Sequence, residues 1–465
     1  MGVNNDGVDS EIEAEQNERH TRRTKPPEGP IDRNTDTGFL ARQPCRVAIF
    51  APSAYQTRHD AHEKPGNTLR LDHVYGYRSH DARHNVCYNR EGMVVYHAAA
   101  VGIVYDSELH TQGHFLQHTD DIVCMAIHPD RDVVATGQVG RDPTICVWRS
   151  TTRELLAELK GFHQRAVVSL SFDGTGKYLG SVGLDDEHSV AVYDWGGRKL
   201  VANSKGDESR IFSCAYNPYD GRLVTGGVRH LKFWEMEGAY LMGRPAVWGR
   251  FGAPCTVLSI AFLPDGTTLT GVQGGAIYQW EDTGEHCLDR FDAIHQGPVH
   301  DIWTTEEYAI TGGKDGKVRF FTTSLEEVFS IDMAKVSEAM TDSQGKPLAF
   351  YDARSPCVKA VCMEGVRLLV GTRSCEIHEF DMSTEESWKT NRKLITQGHV
   401  VSYDKARFKT NGELWGLAVH PFAPIFMTAG DDKYEARWRL APVCSPHRAC
   451  SGRLHARLTP PTSRC

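Results

Sequence analysis

Self-similarity at a fixed period is the feature that most constrains what this chain can fold into. From residue 118 onward one grammar returns seven times. Each unit has an apolar strand, a turn holding Pro, Asp or Gly, a second strand ending in a Thr-Gly-like pair, a tight turn, and a third strand closing on an aromatic. The first two units read DIVCMAIHPDRDVVATGQVGRDPTICVWRS (Asp121 to Ser150) and AVVSLSFDGTGKYLGSVGLDDEHSVAVYDW (Ala166 to Trp195). The closing aromatics are Trp148, Tyr193, Trp234, Trp280, Phe321, Phe380 and Trp438, at steps of 45, 41, 46, 41, 59 and 58 residues, the last two carrying insertions. A period of about 40 to 45 residues is that of a four-stranded propeller blade. The fold class predicted is therefore all-β, a seven-repeat β-propeller over 118–440.

Local chemistry agrees with that period. Val318 and Phe320 alternate with Lys317 and Arg319, as a strand with two unlike faces requires. Second-hairpin turns use Gly274-Gly275, Asp315-Gly316 and Asp431-Asp432, residues suited to positive φ and to local hydrogen bonding. Helical spacing is confined to Leu325 to Lys335. The glycine-rich DGTGKY, Asp173 to Tyr178, lies between two strands and reads as a hairpin turn, because a phosphate cradle needs a following helix.

Charge and length narrow the function. Lys plus Arg is 52 and Asp plus Glu is 60, a net charge of −8, opposite to the balance expected of a general nucleic-acid binder. The longest apolar stretch, Met93 to Tyr105, is shorter than the roughly 18 residues a spanning helix needs, so no membrane partner is predicted. Thirteen cysteines, an odd number and mostly inside apolar strands, predict reduced buried thiols and a cytoplasmic protein. Phosphate-loop, zincin and nucleophile-elbow signatures are lacking, so neither catalysis nor a cofactor is predicted. His80, His84 and Cys87 have a spacing open to zinc but no fourth ligand, and read as two imidazoles and a buried thiol. Residues 1–65, acidic, then basic, then Pro-rich, read as a disordered arm, and 441–465 as an unstructured tail.

The repeats resemble the WD-repeat family, loosely. Tyr193-Asp194 and Phe380-Asp381 keep the closing Asp, Trp234-Glu235 and Trp280-Glu281 come near it, and Trp148-Arg149 and Trp438-Arg439 depart. The family's His and Asp pair is plain only around the fifth unit, as His295 and Asp315 with Thr311 between. Ahead of the repeats, LRLDHVYGYRSHDARHNVCYNREGMVVYHAAAVGIVYD (Leu69 to Asp106) resembles the HELP motif of the echinoderm microtubule-associated protein-like family. The residues that carry the likeness are Val74, Tyr75, Gly76, Tyr77 and Arg78, then His80, Asn85 and Tyr88, then paired strands from Val94 to Tyr105; His73 stands where the family more often has Trp.

The resemblance implies a cytoskeletal, microtubule-associated scaffold with two tandem propellers, of which the first is covered here. Residues 66–117 are expected to hold the HELP motif and a closing strand, with His114 to Gln117 completing the ring of 118–440 and the HELP strands lying against it. The expected partners are tubulin and microtubules or other proteins; the alternative is a WD-repeat adaptor in another assembly, such as a ubiquitin-ligase substrate receptor. At the second-hairpin turns, one basic residue in each of five units, Arg141, Arg229, Lys314, Arg373 and Lys433, is the candidate partner-binding rim, shared with Asp142, Asp185, Asp186, Asp315, Asp431 and Asp432.

Overall fold

The computed structural model describes residues 70–282, 284–340, 356–384, 386–404, 409–411, 414–423, 425–430, 432, 435–439 and 457–459. The expected arm lies outside them, as do Lys433, Asp431 and all of the expected tail but 457–459. The chain divides into two units, 1–72 with 403–410 and 73–402 with 411–465. In the first, Arg70 and Asp72 form an exposed ion pair at 3.8 Å; all that follows concerns the second.

The described residues form eight four-stranded antiparallel units, called sheets one to eight below, each with its strands in chain order; the third and fourth join edge to edge through a parallel Asn203–Tyr240 pairing, and Ser402–Asp404 with Lys409–Asn411 makes a separate two-stranded sheet. Their first strands are Val86–Tyr88, Ile122–Ile127, Val167–Phe172, Ile211–Tyr216, Val257–Phe262, Val299–Thr304, Val358–Glu364 and Leu414–Val419. Successive first strands touch from the second sheet to the seventh, and the first strand of sheet one touches that of sheet seven. Sheets one to seven therefore close a ring of seven blades. Helix is minor: Met333–Ala339 follows strand Glu327–Asp332, so the helical stretch expected from Leu325 begins eight residues later, capped by Asp332, whose side chain accepts from Ala334 N.

The prediction that 118–440 makes the ring is corrected by one blade. The HELP segment is blade 1 itself: Val86–Tyr88, Val94–Ala98, Val101–Asp106 and Thr111–Phe115 pair in order, with Tyr96 opposite Ile103 and Val104 opposite Gly113. The expected closing strand, His114 to Gln117, thus ends the fourth strand of that blade at Phe115 and completes no other sheet. The sheet at 414–439 stands outside the ring, and its fourth strand is Arg457–Thr459, paired with Glu435–Arg437, three residues of the expected unstructured tail.

Blade 1 wins its place through burial on both sides. Its aromatic and aliphatic residues share one core with Met125, Val134, Cys146 and Trp148 of blade 2 and with Ala360, Cys362, Leu369 and Ile377 of blade 7. Phe115 stacks on Trp148 with centroids 4.7 Å apart, both fully buried. Gly102 opposes Phe115 in the sheet, and a Cβ there would come within 2.9 Å of the Trp148 ring, so the close blade-to-blade approach requires glycine. Large buried aromatics of this kind each stabilise by about 1.5–3 kcal/mol.

The HELP peptide ahead of blade 1 ties the joint. Tyr77 is buried, donates to Asn85 Oδ1 at 2.5 Å and packs on Gly371 of blade 7, while Gly76 approaches Gly398. Ser79 Oγ donates to Arg373 O and accepts from Cys375 N. Arg78 forms a two-pronged pair with Asp81 at 2.7 and 2.8 Å and reaches Asp121, at the start of blade 2, at 2.9 Å. His73 packs on Tyr75 at 4.5 Å, and Gln112 holds the turn by accepting from Val74 N and donating to Val74 O. Tyr75 meets Phe426 of the eighth sheet edge-on at 5.4 Å.

Candidate functional site: the turn face and the channel mouth

In six blades, the residue just past the second strand donates its N–H to the carbonyl that precedes the first strand: Val139 to Asp121, Leu184 to Ala166, Val228 to Arg210, Gln273 to Thr256, Lys314 to Pro298 and Arg373 to Cys357, all at 2.8–3.0 Å. This repeated bond gathers the second-hairpin turns and the starts of the inner strands on one face. Lys314 and Arg373 occupy the donor position itself and are half-buried. Arg229 comes one residue later, exposed and left-handed with φ 51°, and Arg141 two residues later, also exposed. The basic residues thus share a face but not one register position.

The acidic residues of the same turns do not face outward to the same degree. In blade 6, His295 lies 2.8 Å from both Asp315 Oδ1 and Thr311 Oγ1, and the carboxylate is 8% exposed. Burial alone would raise the Asp315 pKa; the hydrogen bond and charge of His295 hold it below the ordinary value instead. Asp185 turns toward His163 at 3.9 Å and bonds Ser189, and Asp432 lies 2.9 Å from His399. Asp186 pairs with Arg165 at 2.6 Å, and Asp142 remains exposed.

This His–hydroxyl network is far commoner than the sequence shows. His118 lies 2.6 Å from Thr136 Oγ1, which also accepts from Trp148 Nε1, and Gln138 takes the place of the carboxylate. Trp234 and Trp280 donate in the same way to Thr225 and Thr270. His163 bonds Ser181, and His399 bonds Thr428. Blade 4 exchanges the positions: Asp207 precedes the inner strand and His230, on the third strand, lies 2.8 Å from Thr225 and 3.1 Å from Asp207. A search for His ahead of each strand passes over that blade. Trp438 lies on strand Glu435–Arg439.

The inner strands carry a second repeated device. Each bulges near its start, leaving one residue out of the ladder: Val123, Val168, Phe212, Leu258, His300 and Lys359 in blades 2 to 7, and Trp415 in the eighth sheet. Bulges re-aim side chains, and five of these residues, Val123 to His300, line a central cavity of about 550 Å³ together with Asp81 to His84 from ahead of blade 1. Three blades place an aliphatic residue there; blades 6 and 7 place His300 and Lys359, each only 4% exposed. The pattern is legible once the strands are stacked, as IVC, VVS, IFS, VLS, VHD and VKA.

Two arginines meet at the same level. The Arg83 guanidinium lies 5.4 Å, and that of Arg210 5.2 Å, from the ring of Phe212. Arg83 enters from blade 1 and Phe212 belongs to blade 4, so Arg83 reaches across the channel. Next to His300, Asp301 bonds Val361 N at 2.8 Å and His84 at 3.0 Å, which keeps the His84 pKa raised against the pull of burial. His80 is on Asp81 and His84 on Asp301, while Cys87 is buried on the first strand of blade 1 beside Cys362. Among the described residues no three His, Cys, Asp or Glu converge in a way that could hold a metal ion.

A closed seven-bladed propeller with a polar turn face and a narrow axial channel is the class of protein these features define. Residues 64–103 match the HELP motif, and residues 111–379 match the echinoderm microtubule-associated protein first beta-propeller. The first match ends and the second begins within blade 1, and the second runs as far as the third strand of blade 7. The chain is 31% identical over 390 residues to the 77 kDa echinoderm microtubule-associated protein of Strongylocentrotus purpuratus, covering 81% of this chain and 52% of that one. It is 31% identical over 419 residues to echinoderm microtubule-associated protein-like 2 of Mus musculus, covering 86% and 59%. This chain belongs to the echinoderm microtubule-associated protein family, and spans a little over half the length of these relatives.

Proposed function

We propose that the chain is a non-catalytic cytoskeletal scaffold whose turn face, through Arg141, Arg229, Lys314 and Arg373, binds tubulin or microtubules. The observation that carries this reading is the asymmetry of the turns: Asp315 and Asp432 are drawn inward onto histidines, with Asp185 turned the same way, while Arg141 and Arg229 stay exposed. In a chain of net charge −8, attraction to an acidic filament has to be local, and withdrawing these carboxylates tips a rim on which Asp142 and Asp186 stay exposed toward its basic residues. The relatives' names supply the class of partner. Lys433 lies outside the described residues and is proposed only as an extension of the face.

The test is microtubule co-sedimentation of the purified chain. Exposed charge contacts contribute about 0.2–1 kcal/mol each, so reversing Arg141, Arg229 and Lys314 together weakens binding by about 3- to 150-fold at moderate salt. Reversing Arg22, Arg23 and Lys25 of the arm leaves it unchanged. If the arm variant loses binding and the turn-face variant keeps it, the propeller is not the filament-facing element.

A further inference from the structure

The two longest steps between closing aromatics, 59 and 58 residues, each contain a short helix that the blade grammar does not need. Met333–Ala339 follows the last strand of blade 6, and Ser387–Thr390 stands between the third strand of blade 7, Glu376–Asp381, and its fourth, Arg392–Gln397. Both helices line a cleft of about 330 Å³ whose charged groups are four cations, Lys317, Lys335, Lys389 and Arg392, and one carboxylate, Asp332. Each cation comes from a different element: Lys317 from the third strand of blade 6, Lys335 and Lys389 from the two helices, Arg392 from the fourth strand of blade 7. Asp332 is already committed, since its side chain caps the first helix by accepting from Ala334 N, and it stands opposite Lys317 in the sheet without an ion pair. Lys389 pairs at 2.7 Å with Glu386, which is 76% exposed. Among the described residues Lys317, Lys335 and Arg392 have no carboxylate within ion-pair distance, and Arg392 gives a single bond, to Ala339 O at 2.9 Å. Partial burial lowers the Arg392 pKa, with no neighbouring anion to hold it up.

We propose that this cleft binds a phosphorylated side chain of a partner polypeptide. Cations gathered in one recess repel one another, and a half-buried guanidinium without a counter-charge is held at a cost that a bound anion relieves. A phosphoryl group on a side chain carries about −1.5 to −2 charge and three acceptor oxygens, which suits ammonium and guanidinium donors supplied by four elements, whereas a carboxylate brings one charge and two oxygens. The cleft favours a group presented by a chain over a free ester. Lys335 and Lys389 are exposed while Lys317, Trp388 and Arg392 are half-buried, so the ligand is met from the surface inward, and Trp388 supplies an apolar wall for the residues that flank the phosphate. Lys317 follows Lys314 by three residues, so the cleft borders the turn face, but it shares no residue with the proposed filament contact. Its ligand is assayed without tubulin, and the two readings therefore fail separately.

The experiment probes arrays of short synthetic peptides with the purified full chain at constant ionic strength. Each peptide carries one central phosphoserine among randomised uncharged residues, and matched arrays carry serine or glutamate instead. The expected result is retention by a subset of the phosphoserine peptides and by none of their serine or glutamate counterparts. In titrations of a retained peptide, Arg392→Gln weakens binding by about tenfold, the loss of one charge-assisted contact. Lys335→Gln with Lys389→Gln weakens it by about 2- to 30-fold, and the exposed Lys199→Gln of blade 3 leaves it unchanged. The lysine pair is exposed and keeps the test open if Arg392→Gln does not fold. No retention, equal retention on the serine or glutamate arrays, unchanged affinity in both cleft variants, or equal loss in Lys199→Gln overturns the proposal. Calorimetric binding of O-phospho-L-serine without retention of any phosphopeptide assigns the cleft to a free phosphate ester and overturns the docking of a partner.

Discussion

If the HELP peptide closes the ring, loosening it must be felt in two blades that are far apart in sequence. Arg78→Met is the sharpest perturbation, since it keeps length and apolar stem while deleting three charge-assisted bonds, two to Asp81 and one to Asp121. Arg78 is 12% exposed and Asp81 28%, so the pair is substantially withdrawn from water; Asp121, at 47%, is not. Breaking a buried pair typically costs about 3–5 kcal/mol and an exposed one under about 1. The partial exposure of Asp81 brings the expected loss to about 2–4 kcal/mol. At about 2 °C per kcal/mol for a unit of this size, the melting temperature falls by about 4–8 °C.

Three readouts check that reasoning. In thermal melts, Asp81→Asn in the Arg78→Met background adds little further loss, because the orphaned carboxylate is the main cost. Burial would raise the Asp81 pKa, but Arg78 holds it well below the usual carboxylate range, so its contribution is present above about pH 4 and is lost as pH falls toward the depressed value. The difference between wild type and Arg78→Met therefore shrinks in acid. In hydrogen exchange, protection falls together in Val86–Tyr88 and in Val358–Glu364. A shift under 1 °C, or exchange that rises in blade 1 while blade 7 is untouched, refutes the closure argument.

Further outcomes follow from the same structure. Burial lowers the pKa of His230 to about 4, with Lys232 adding to the effect against Asp207, and that of His97 to about 3; both are neutral in the fold, so stability is full above about pH 6.5 and falls as pH drops through 6.5 to 4, which denaturant midpoints measured across that range will report. His230→Gln flattens that slope, and an unchanged slope counts against the assignment. Trp415, Leu417, Val419 and Phe422 of the eighth sheet are 71–94% exposed, a patch that should bind a hydrophobic dye and promote self-association of this chain; Trp415→Lys with Leu417→Lys removes both, and a dye signal that survives them locates the patch elsewhere. Gly102→Val forces a Cβ against Trp148 and lowers stability by about 1–3 kcal/mol in chemical denaturation, whereas Gly161→Ala, with nothing within 4 Å, costs only its φ of 85°.

Much of this fold was open to reading because a propeller writes its period into the chain. Strand alternation, Gly and Asp turns, and an aromatic closing each third strand are local, and they placed seven of the eight sheets. Blade 1 obeys the same grammar: its third strand ends in Tyr105-Asp106, 43 residues ahead of Trp148. It was set apart because its first strand is three residues long and its lead-in is a peptide of Tyr, Gly and Arg that docks on blade 7. The His networks were hidden for a similar reason, since Gln138 replaces a carboxylate and blade 4 trades the positions of His and Asp.

Which seven of eight equivalent sheets close into a ring is a question of long-range contact that periodicity does not carry. A sheet that meets its neighbours on both sides buries two faces; one that meets none leaves its inner strand wet. The bulge column makes the difference visible in one residue type. Phe212 at that position lies in the channel with Arg83 and Arg210 against it, while Trp415 at the same position is 74% exposed. The HELP peptide decides between the two candidates for seventh neighbour, because Tyr77 packs on Gly371 and Ser79 bonds Arg373 and Cys375 of blade 7 while Arg78 bonds Asp121 at the start of blade 2. The peptide that ties the ring is the one that delivers Arg83 to the axis, beside the His300 and Lys359 that blades 6 and 7 substitute for apolar residues.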